Sequence, residues 1–261
     1  MNIIEAIILG LIQGLTEFLP VSSSGHLVIF QEILGLNEPG VTLEILLHFG
    51  TFLSVLYVFG KDFIALLKFR RDKIEQNFLL MLIAGVAVTA AVWLLFSNYV
   101  ELFFKSTLLV GIMLLVTGII LKLLTLIPEG ITDKGSIKLR DAIWIGLLQG
   151  MAIIPGISRS GSTIMAALWR GLDRETAVKY SFMLAAPVIL GGTLLELRQI
   201  ITTGIEEAML LNYLAGGLVA FISGVFAIKV FIKLLTGSRF HYFAYYCWAA
   251  GLVVITYSLL K

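Results

Sequence analysis

The sequence predicts an all-α integral membrane protein with six transmembrane helices and two re-entrant helix–loop–helix hairpins in an inverted-topology repeat. Three observations lead there. The chain of 261 residues is 59% hydrophobic and only 14% charged, against about 25% charged in ordinary soluble domains, and its mean hydropathy is +0.98. Two apolar regions are interrupted by proline, glycine and clusters of polar residues. The first of these regions also matches the second at a fixed offset.

Residues 3–36 are the first interrupted region. An apolar run over 3–15 leads into Gln13-Gly-Leu-Thr-Glu17-Phe-Leu-Pro20-Val-Ser22-Ser23-Ser24-Gly25-His26, and a second run over 27–36 leads out. Breaks are expected at Pro20 and Gly25, with the next helix starting near Leu27. Each half is too short to span, which takes about 20 apolar residues. The pair can dip in and return, provided that the irregular backbone faces protein or a watery cavity.

Three spans are expected next, over 41–59, 78–96 and 107–127. Residues 141–170 form the second hairpin, broken at Pro155, Gly156 and Gly161, and spans over 177–197, 211–235 and 242–260 complete the chain. The connecting loops are too short to fold alone, so 1–261 reads as one membrane domain. Repeat one covers 1–127 and repeat two covers 141–261. The N-terminus lacks a basic region and a small-residue cleavage site, and Glu5 stands where a lysine would be expected, so no signal peptide is predicted. The single Cys247 allows no internal disulfide and no zinc-type spacing.

The repeat rests on residues 6–25, nine of which recur 136 positions later. Chance matches among apolar residues could supply the pairs Ala6/Ala142, Ile7/Ile143 and Leu11/Leu147. They do not supply Gly10/Gly146, Gln13/Gln149, Gly14/Gly150, Ser22/Ser158, Ser24/Ser160 and Gly25/Gly161. A hairpin plus three spans makes an odd number of crossings, so the second copy enters from the opposite side. Paired broken segments in inverted repeats place a site near the membrane midplane. Charge agrees: loops 61–77, 122–140, 170–179 and 229–241 hold 15 Lys/Arg, while 98–106, 198–210 and the C-terminus hold 3. The positive-inside rule puts the first set in the cytoplasm.

A carboxylate, hydroxyls and an imidazole at membrane depth are costly and mark a functional site by default. Gln13 and Glu17 are four apart and share a helix face. Ser22, Ser23, Ser24 and His26 follow within a turn and can converge above Glu17. The bland reading of these serines is helix capping. Ser158-Arg159-Ser160-Gly161-Ser162-Thr163 joins hydroxyls, a guanidinium and a helix N-terminus, a combination suited to phosphate. The competing reading of Arg159 is a structural ion pair with Glu17. Together the loops offer a nucleophile (a serine hydroxyl or His26), a carboxylate for acid/base or metal work, and a cation, the parts that phosphoryl transfer needs. Gln13 and Glu17 are oxygen donors of the kind that hold Mg²⁺ or Ca²⁺ against diphosphate oxygens. Glu44 and His48 could face the same crevice. Tyr242, Tyr245, Tyr246 and Trp248 read as an interfacial belt. Pro187 with Gly191 and Gly192 reads as a kink or a close-packing seam.

At these two loops the chain resembles the undecaprenyl-pyrophosphate phosphatase family, also called the bacitracin-resistance proteins. The first family motif stands as Gln13-Gly-Leu-Thr-Glu17, running on into Pro20-Val-Ser-Ser-Ser-Gly-His26. The second stands as Pro155-Gly-Ile-Ser-Arg-Ser-Gly-Ser-Thr163. The resemblance covers essentially the whole chain. It implies a multi-pass protein of the bacterial plasma membrane that removes the terminal phosphate from a C55 polyprenyl diphosphate, recycling the carrier lipid for peptidoglycan, with a site open to the extracytoplasmic face and a need for a divalent cation. It implies catalytic roles for Glu17, Ser23, His26 and Arg159, with Ser158 and Thr163 at the phosphate; the loops themselves add Ser22, Ser24, Ser160, Gly161 and Ser162 as candidate phosphate contacts and Gln13 with Glu17 as candidate metal ligands. Ser23 is taken as the nucleophile, with Glu17 and His26 as acid/base partners and Arg159 on the transition-state charge. Many members carry Glu where this chain has Gln13, which weakens metal binding. The lipid substrate and the bilayer are the expected partners, nucleic acid is not, and a homodimer stays open.

Two other readings compete with this one. A phosphatidic-acid-phosphatase type would need a His six residues after Arg159, where Met165 stands. A lipid-phosphate flippase would share the architecture and the cradle, but binding alone would not require the acid/base set.

Overall fold

The structure, a computed structural model, describes residues 1–36, 41–128, 130–203, 207–236 and 241–261. Those residues are helical apart from short connections and one isolated bridge between Thr132 and Leu172. The chain opens with α1 (Ile3–Phe18), started by a capping box between Asn2 and Glu5, and α2 (Ser23–Ile33). Then come α3 (Val41–Val58), the short α4 (Gly60–Leu66), α5 (Lys73–Phe96), one turn at α6 (Val100–Phe104), and α7 (Thr107–Leu124). The second half repeats the order with α8 (Leu139–Met151), α9 (Arg159–Trp169), α10 (Arg174–Thr203), α11 (Glu207–Thr236) and α12 (His241–Leu260).

Five helices, α5, α7, α10, α11 and α12, are long and apolar enough to cross a membrane. The first expected span differs from the plain rod that its composition suggests. α3 and α4 are bent by 74° across Phe59, so the two count as a sixth span only when taken together. The bend falls where the apolar run meets Lys61 and Asp62, and Asp62 turns aside to pair with Lys179 at 3.0 Å. Large apolar side chains such as Leu95, Leu211, Leu218, Phe226 and Val253 face outward, an unfavourable arrangement in water on this scale. The aromatic core is internal: the Phe18 and Phe182 rings meet edge to face at 5.6 Å, and Phe78 meets Tyr180 at 5.7 Å.

Each half lends its first helix to the other half. α1 packs on α11, and α8 packs on α5. The repeated glycines sit at these two contacts. A Cβ at Gly10 would lie 2.3 Å from the Gly216 carbonyl oxygen, and one at Gly146 would lie 2.6 Å from that of Gly85. Small residues let helix backbones approach closely, as helix pairs in lipid require. Gly191 and Gly192 are different: a Cβ at either would meet nothing within 4 Å. They form no close-packing seam, and α10 runs through Pro187 as one helix.

Both helix–turn–helix units break earlier than glycine punctuation suggests. The first breaks over 19–22 and the second over 152–158, so α2 starts at Ser23 instead of near Leu27. Pro20, Pro155 and Gly156 lie in the breaks, and Gly156 needs its positive φ of 96°. Gly25 and Gly161 do not break anything. They sit in the first turns of α2 and α9, where a Cβ would meet Gly156 at 3.1 Å and Pro20 at 3.3 Å respectively. Their role is close approach: each unit's first turn rests on the other unit's tip.

Candidate functional site

The last two turns of α1 place Gln13 and Glu17 on one face, and the Gln13 amide donates to Glu17 Oε2 at 3.0 Å. After the break, Ser22 adopts φ 69°, the one positive φ on a non-glycine among the described residues. Such strain persists only when the surroundings over-determine it, and it clusters at functional sites. Here the surroundings are plain. Ser22 Oγ caps the Gly25 N–H at 3.3 Å and accepts the Gly156 N–H of the other unit at 3.1 Å. The turn delivers Ser23 as the first residue of α2, and its hydroxyl donates to Glu17 Oε2 at 2.5 Å.

The second unit supplies the cation. Arg159 opens α9, and its Nη2 pairs with Glu17 Oε1. The structural pairing weighed at the outset is therefore present, but it uses only part of the guanidinium: Arg159 Nη1 is buried without a hydrogen-bond partner. Glu17 thus accepts from an amide, a hydroxyl and a guanidinium, drawn from both units. His48, on α3, lies within electrostatic reach of the same carboxylate; its Nδ1–H donates to the Glu44 carbonyl at 2.9 Å. Glu44 itself accepts from Gln31 at 3.1 Å.

Exposure sorts the remaining residues. Ser23, Ser24 and Arg159 are partly exposed, whereas Ser22, Ser158, Ser160, Ser162 and Thr163 are buried. Two of the buried hydroxyls, Ser22 and Ser160, tie the units together, and others fasten the second unit internally and to α10. Ser158 caps the Gly161 N–H at 3.1 Å, and Ser160 Oγ donates to the Leu19 carbonyl at 3.2 Å. Thr163 Oγ1 bonds Ser181 Oγ of α10 at 2.5 Å. Even the hydroxyl pairs repeat, Ser22 with Ser24 at 3.4 Å and Ser158 with Ser160 at 3.3 Å. The chemistry does not repeat. At the offset of 136, Glu17 faces Ile153, Ser23 faces Arg159 and His26 faces Ser162, and Gln149 donates to Thr89 at 3.2 Å.

His26 is buried, and its ring reaches neither Ser23 nor Glu17 by a hydrogen bond. Nδ1 lies 2.7 Å from the Ser22 carbonyl and Nε2 lies 2.7 Å from the Tyr246 hydroxyl. A carbonyl can only accept, so Nδ1 carries the proton. The Nε2 of a neutral ring then takes the Tyr246 O–H. Tyr246, read from sequence as part of an interfacial belt, touches the site 220 residues away. No local pattern distinguished it from Tyr242 or Tyr245.

The donor set fits a hard divalent cation. Gln13 Oε1 is buried with no hydrogen-bond partner, next to a carboxylate with a lone pair to spare. Mg²⁺ is commonly held by one or two such oxygens together with substrate phosphates and water. Among the described residues no cluster of three or more His, Cys, Asp or Glu forms a dedicated cage.

Fold and site together define a multi-pass membrane protein whose two helix–turn–helix tips assemble a carboxylate, a hydroxyl hydrogen-bonded to it and a half-free guanidinium. Residues 6–253 match the family described as bacitracin resistance protein BacA, and the chain belongs to that family. Among its relatives is an undecaprenyl-diphosphatase of Halothermothrix orenii, 44% identical over 255 residues and 98% of each chain. Another, also named undecaprenyl-diphosphatase, is from Alkaliphilus metalliredigens, 41% identical over the full length of both chains. A third, from Methanosphaera stadtmanae, is 37% identical over 278 residues, covering 100% of this chain and 99% of the relative.

Proposed function

We propose that this protein hydrolyses undecaprenyl diphosphate to undecaprenyl phosphate and inorganic phosphate, returning the carrier lipid to peptidoglycan synthesis and so conferring bacitracin resistance. The single observation that carries this reading is the hydrogen bond from Ser23 to Glu17, set beside a guanidinium with a free edge in a chain whose relatives are undecaprenyl-diphosphatases. A serine is a weak nucleophile until an adjacent base takes its proton. Here that base is the carboxylate.

Ser23 Oγ attacks the terminal phosphorus as its proton passes to Glu17. The bond from that phosphorus to the bridging oxygen breaks, undecaprenyl phosphate leaves with the proton from Glu17, and a phosphoseryl group remains. Water, deprotonated by the Glu17 carboxylate so regenerated, then attacks that phosphorus; its bond to Ser23 Oγ breaks, the proton passes from Glu17 to the serine, and phosphate is released. The free edge of Arg159 faces the phosphoryl oxygens, where preorganised charge stabilises the transition state. In this reading partly exposed Ser24 contacts the same oxygens, while the hydrogen-bonded hydroxyls of Ser22, Ser158, Ser160 and Thr163 hold the cradle in shape and Ser162 is buried among them. Gln13 and Glu17 would hold a Mg²⁺ or Ca²⁺ ion, which would offset diphosphate charge. In this arrangement His26 supports the Ser22–Ser23 turn instead of exchanging the Ser23 proton.

The two helix–turn–helix units act as re-entrant hairpins from opposite sides, and the halves 1–127 and 141–261 as inverted repeats. The reciprocal packing of α1 on α11 and of α8 on α5 supports this. The uneven distribution of Lys and Arg supports an extracytoplasmic opening beside His48 and Glu44. The test is phosphate release from a polyprenyl diphosphate by the purified protein in detergent, with and without chelator. Release by the unaltered protein that disappears in Ser23→Ala and Glu17→Gln supports the reading; a wild type that releases nothing overturns it.

A further inference from the structure

His26 makes two hydrogen bonds, and one of them leads outside both motifs. Its Nδ1–H holds the carbonyl of Ser22, the residue with the strained φ of 69° that sets Ser23 against Glu17. Its Nε2 takes the hydroxyl of Tyr246, on α12. The two rings lie nearly parallel, 9° apart, with centroids separated by 5.6 Å. A hydrogen-bonded line therefore runs from Tyr246 through the imidazole to the Ser22 carbonyl, one peptide unit from the Ser23 hydroxyl. A histidine's second nitrogen sets the tautomer and orientation of its first. The Ser22 carbonyl selects Nδ1–H, and the phenol on the α12 side keeps the ring from turning away from it.

We propose that Tyr246 is a positioning residue: the Ser22 carbonyl sets the Nδ1–H tautomer of His26, the Tyr246 hydroxyl on the far nitrogen fixes the ring in place, and the fixed ring holds the Ser22 turn that presents Ser23 to Glu17. This deepens the phosphatase reading and rests on it for the consequence in turnover, but the lock is a property of the resting protein and can be read without substrate.

The experiment uses the full chain in detergent micelles with ¹⁵N-labelled histidine. There are three histidines, and the His26 signals are identified by their loss in His26→Gln. In the wild type, Nε2 should resonate as a hydrogen-bonded, unprotonated nitrogen. In Tyr246→Phe it should move toward the position of a free one and broaden as the ring gains freedom to turn. Fluorotyrosine at 246 keeps the shape and is a stronger donor, so it should move the resonance the opposite way. Tyr246→Phe should lower kcat by about tenfold, the order of one lost hydrogen bond, with KM nearly unchanged. In a His26→Gln background the same substitution should cost about twofold or less, because coupled residues are not additive. An Nε2 resonance that ignores both substitutions at 246, or full additivity with His26→Gln, overturns the proposal. A wild type without hydrolysis would instead remove the phosphatase reading and leave the resonance test standing.

Discussion

Arg159 and Glu17 form an ion pair across 142 residues of sequence, one from the tip of each helix–turn–helix unit, with side chains 16% and 6% exposed. The pair does two jobs. It fastens the tips together, and it holds the carboxylate that takes the Ser23 hydrogen bond.

Removing one partner leaves the other charge buried and unpaired, which costs about 3–5 kcal/mol, whereas replacing both by apolar or neutral groups is often close to neutral. Arg159→Ala is therefore expected to lower thermal stability clearly. Glu17→Gln combined with Arg159→Met should recover most of that loss while remaining inactive. Melting curves in detergent beside phosphate release separate the two roles; a double variant as unstable as the single one would contradict this account of the pair.

The Ser23–Glu17 hydrogen bond predicts how activity is lost. Glu17→Gln keeps the shape of the side chain and removes the base, and general-base assistance contributes about 10²–10⁴-fold. A fall of that size in kcat is expected, with KM changing much less. Ser23→Ala should lose at least as much and form no phosphorylated protein on brief exposure to labelled substrate. Labelling of Ser23→Ala at wild-type level would move the nucleophile elsewhere.

Divalent cations should raise the melting temperature of the substrate-free protein, because anything bound only by the folded state stabilises it. Gln13→Ala should reduce that shift and Gln13→Glu should enlarge it, since a second carboxylate adds charge beside Glu17. Chelator should stop phosphate release, and Mg²⁺ or Ca²⁺ should restore it. A melting temperature indifferent to cations in all three proteins would remove Gln13 as a ligand.

The reciprocal helix contacts make a paired prediction. Gly10→Ala drives a methyl into the Gly216 carbonyl at 2.3 Å, and Gly146→Ala into that of Gly85 at 2.6 Å. Overpacking of this kind typically costs about 1–3 kcal/mol. Both variants should melt lower than wild type, whereas Gly192→Ala, which meets open space, should not. Equal stability of all three would mean that the glycines are not packing contacts.

Much of this was legible in the order of residues. An apolar chain makes polar clusters conspicuous, so Gln13 to His26 and Ser158 to Thr163 stood out without any structure. The recurrence of Gln-Gly and Ser-x-Ser-Gly at one offset paired the two loops, and apolar run length located every long helix. These are local properties, carried by neighbours along the chain. The sequence did not show which glycines turn the backbone and which admit a neighbour. Gly25 and Gly161 look like breaks, yet they lie inside helices because the opposing tip needs the space. Nor did it show the 74° bend beyond α3.

The amino-acid order by itself determined a membrane-type helical protein with two matched polar loops and the chemistry those loops contain. Only the tertiary structure decided which atoms of that chemistry meet: Ser23 with Glu17, Arg159 with the same carboxylate, and His26 with Tyr246. The physical reason is that a hydrogen bond depends on positions to a few tenths of an ångström. For Arg159 with Glu17 and for His26 with Tyr246 those positions are set by how helices more than a hundred residues apart cross and pack, and the six-residue contact of Ser23 with Glu17 depends on a Ser22 turn held by Gly156 of the other unit.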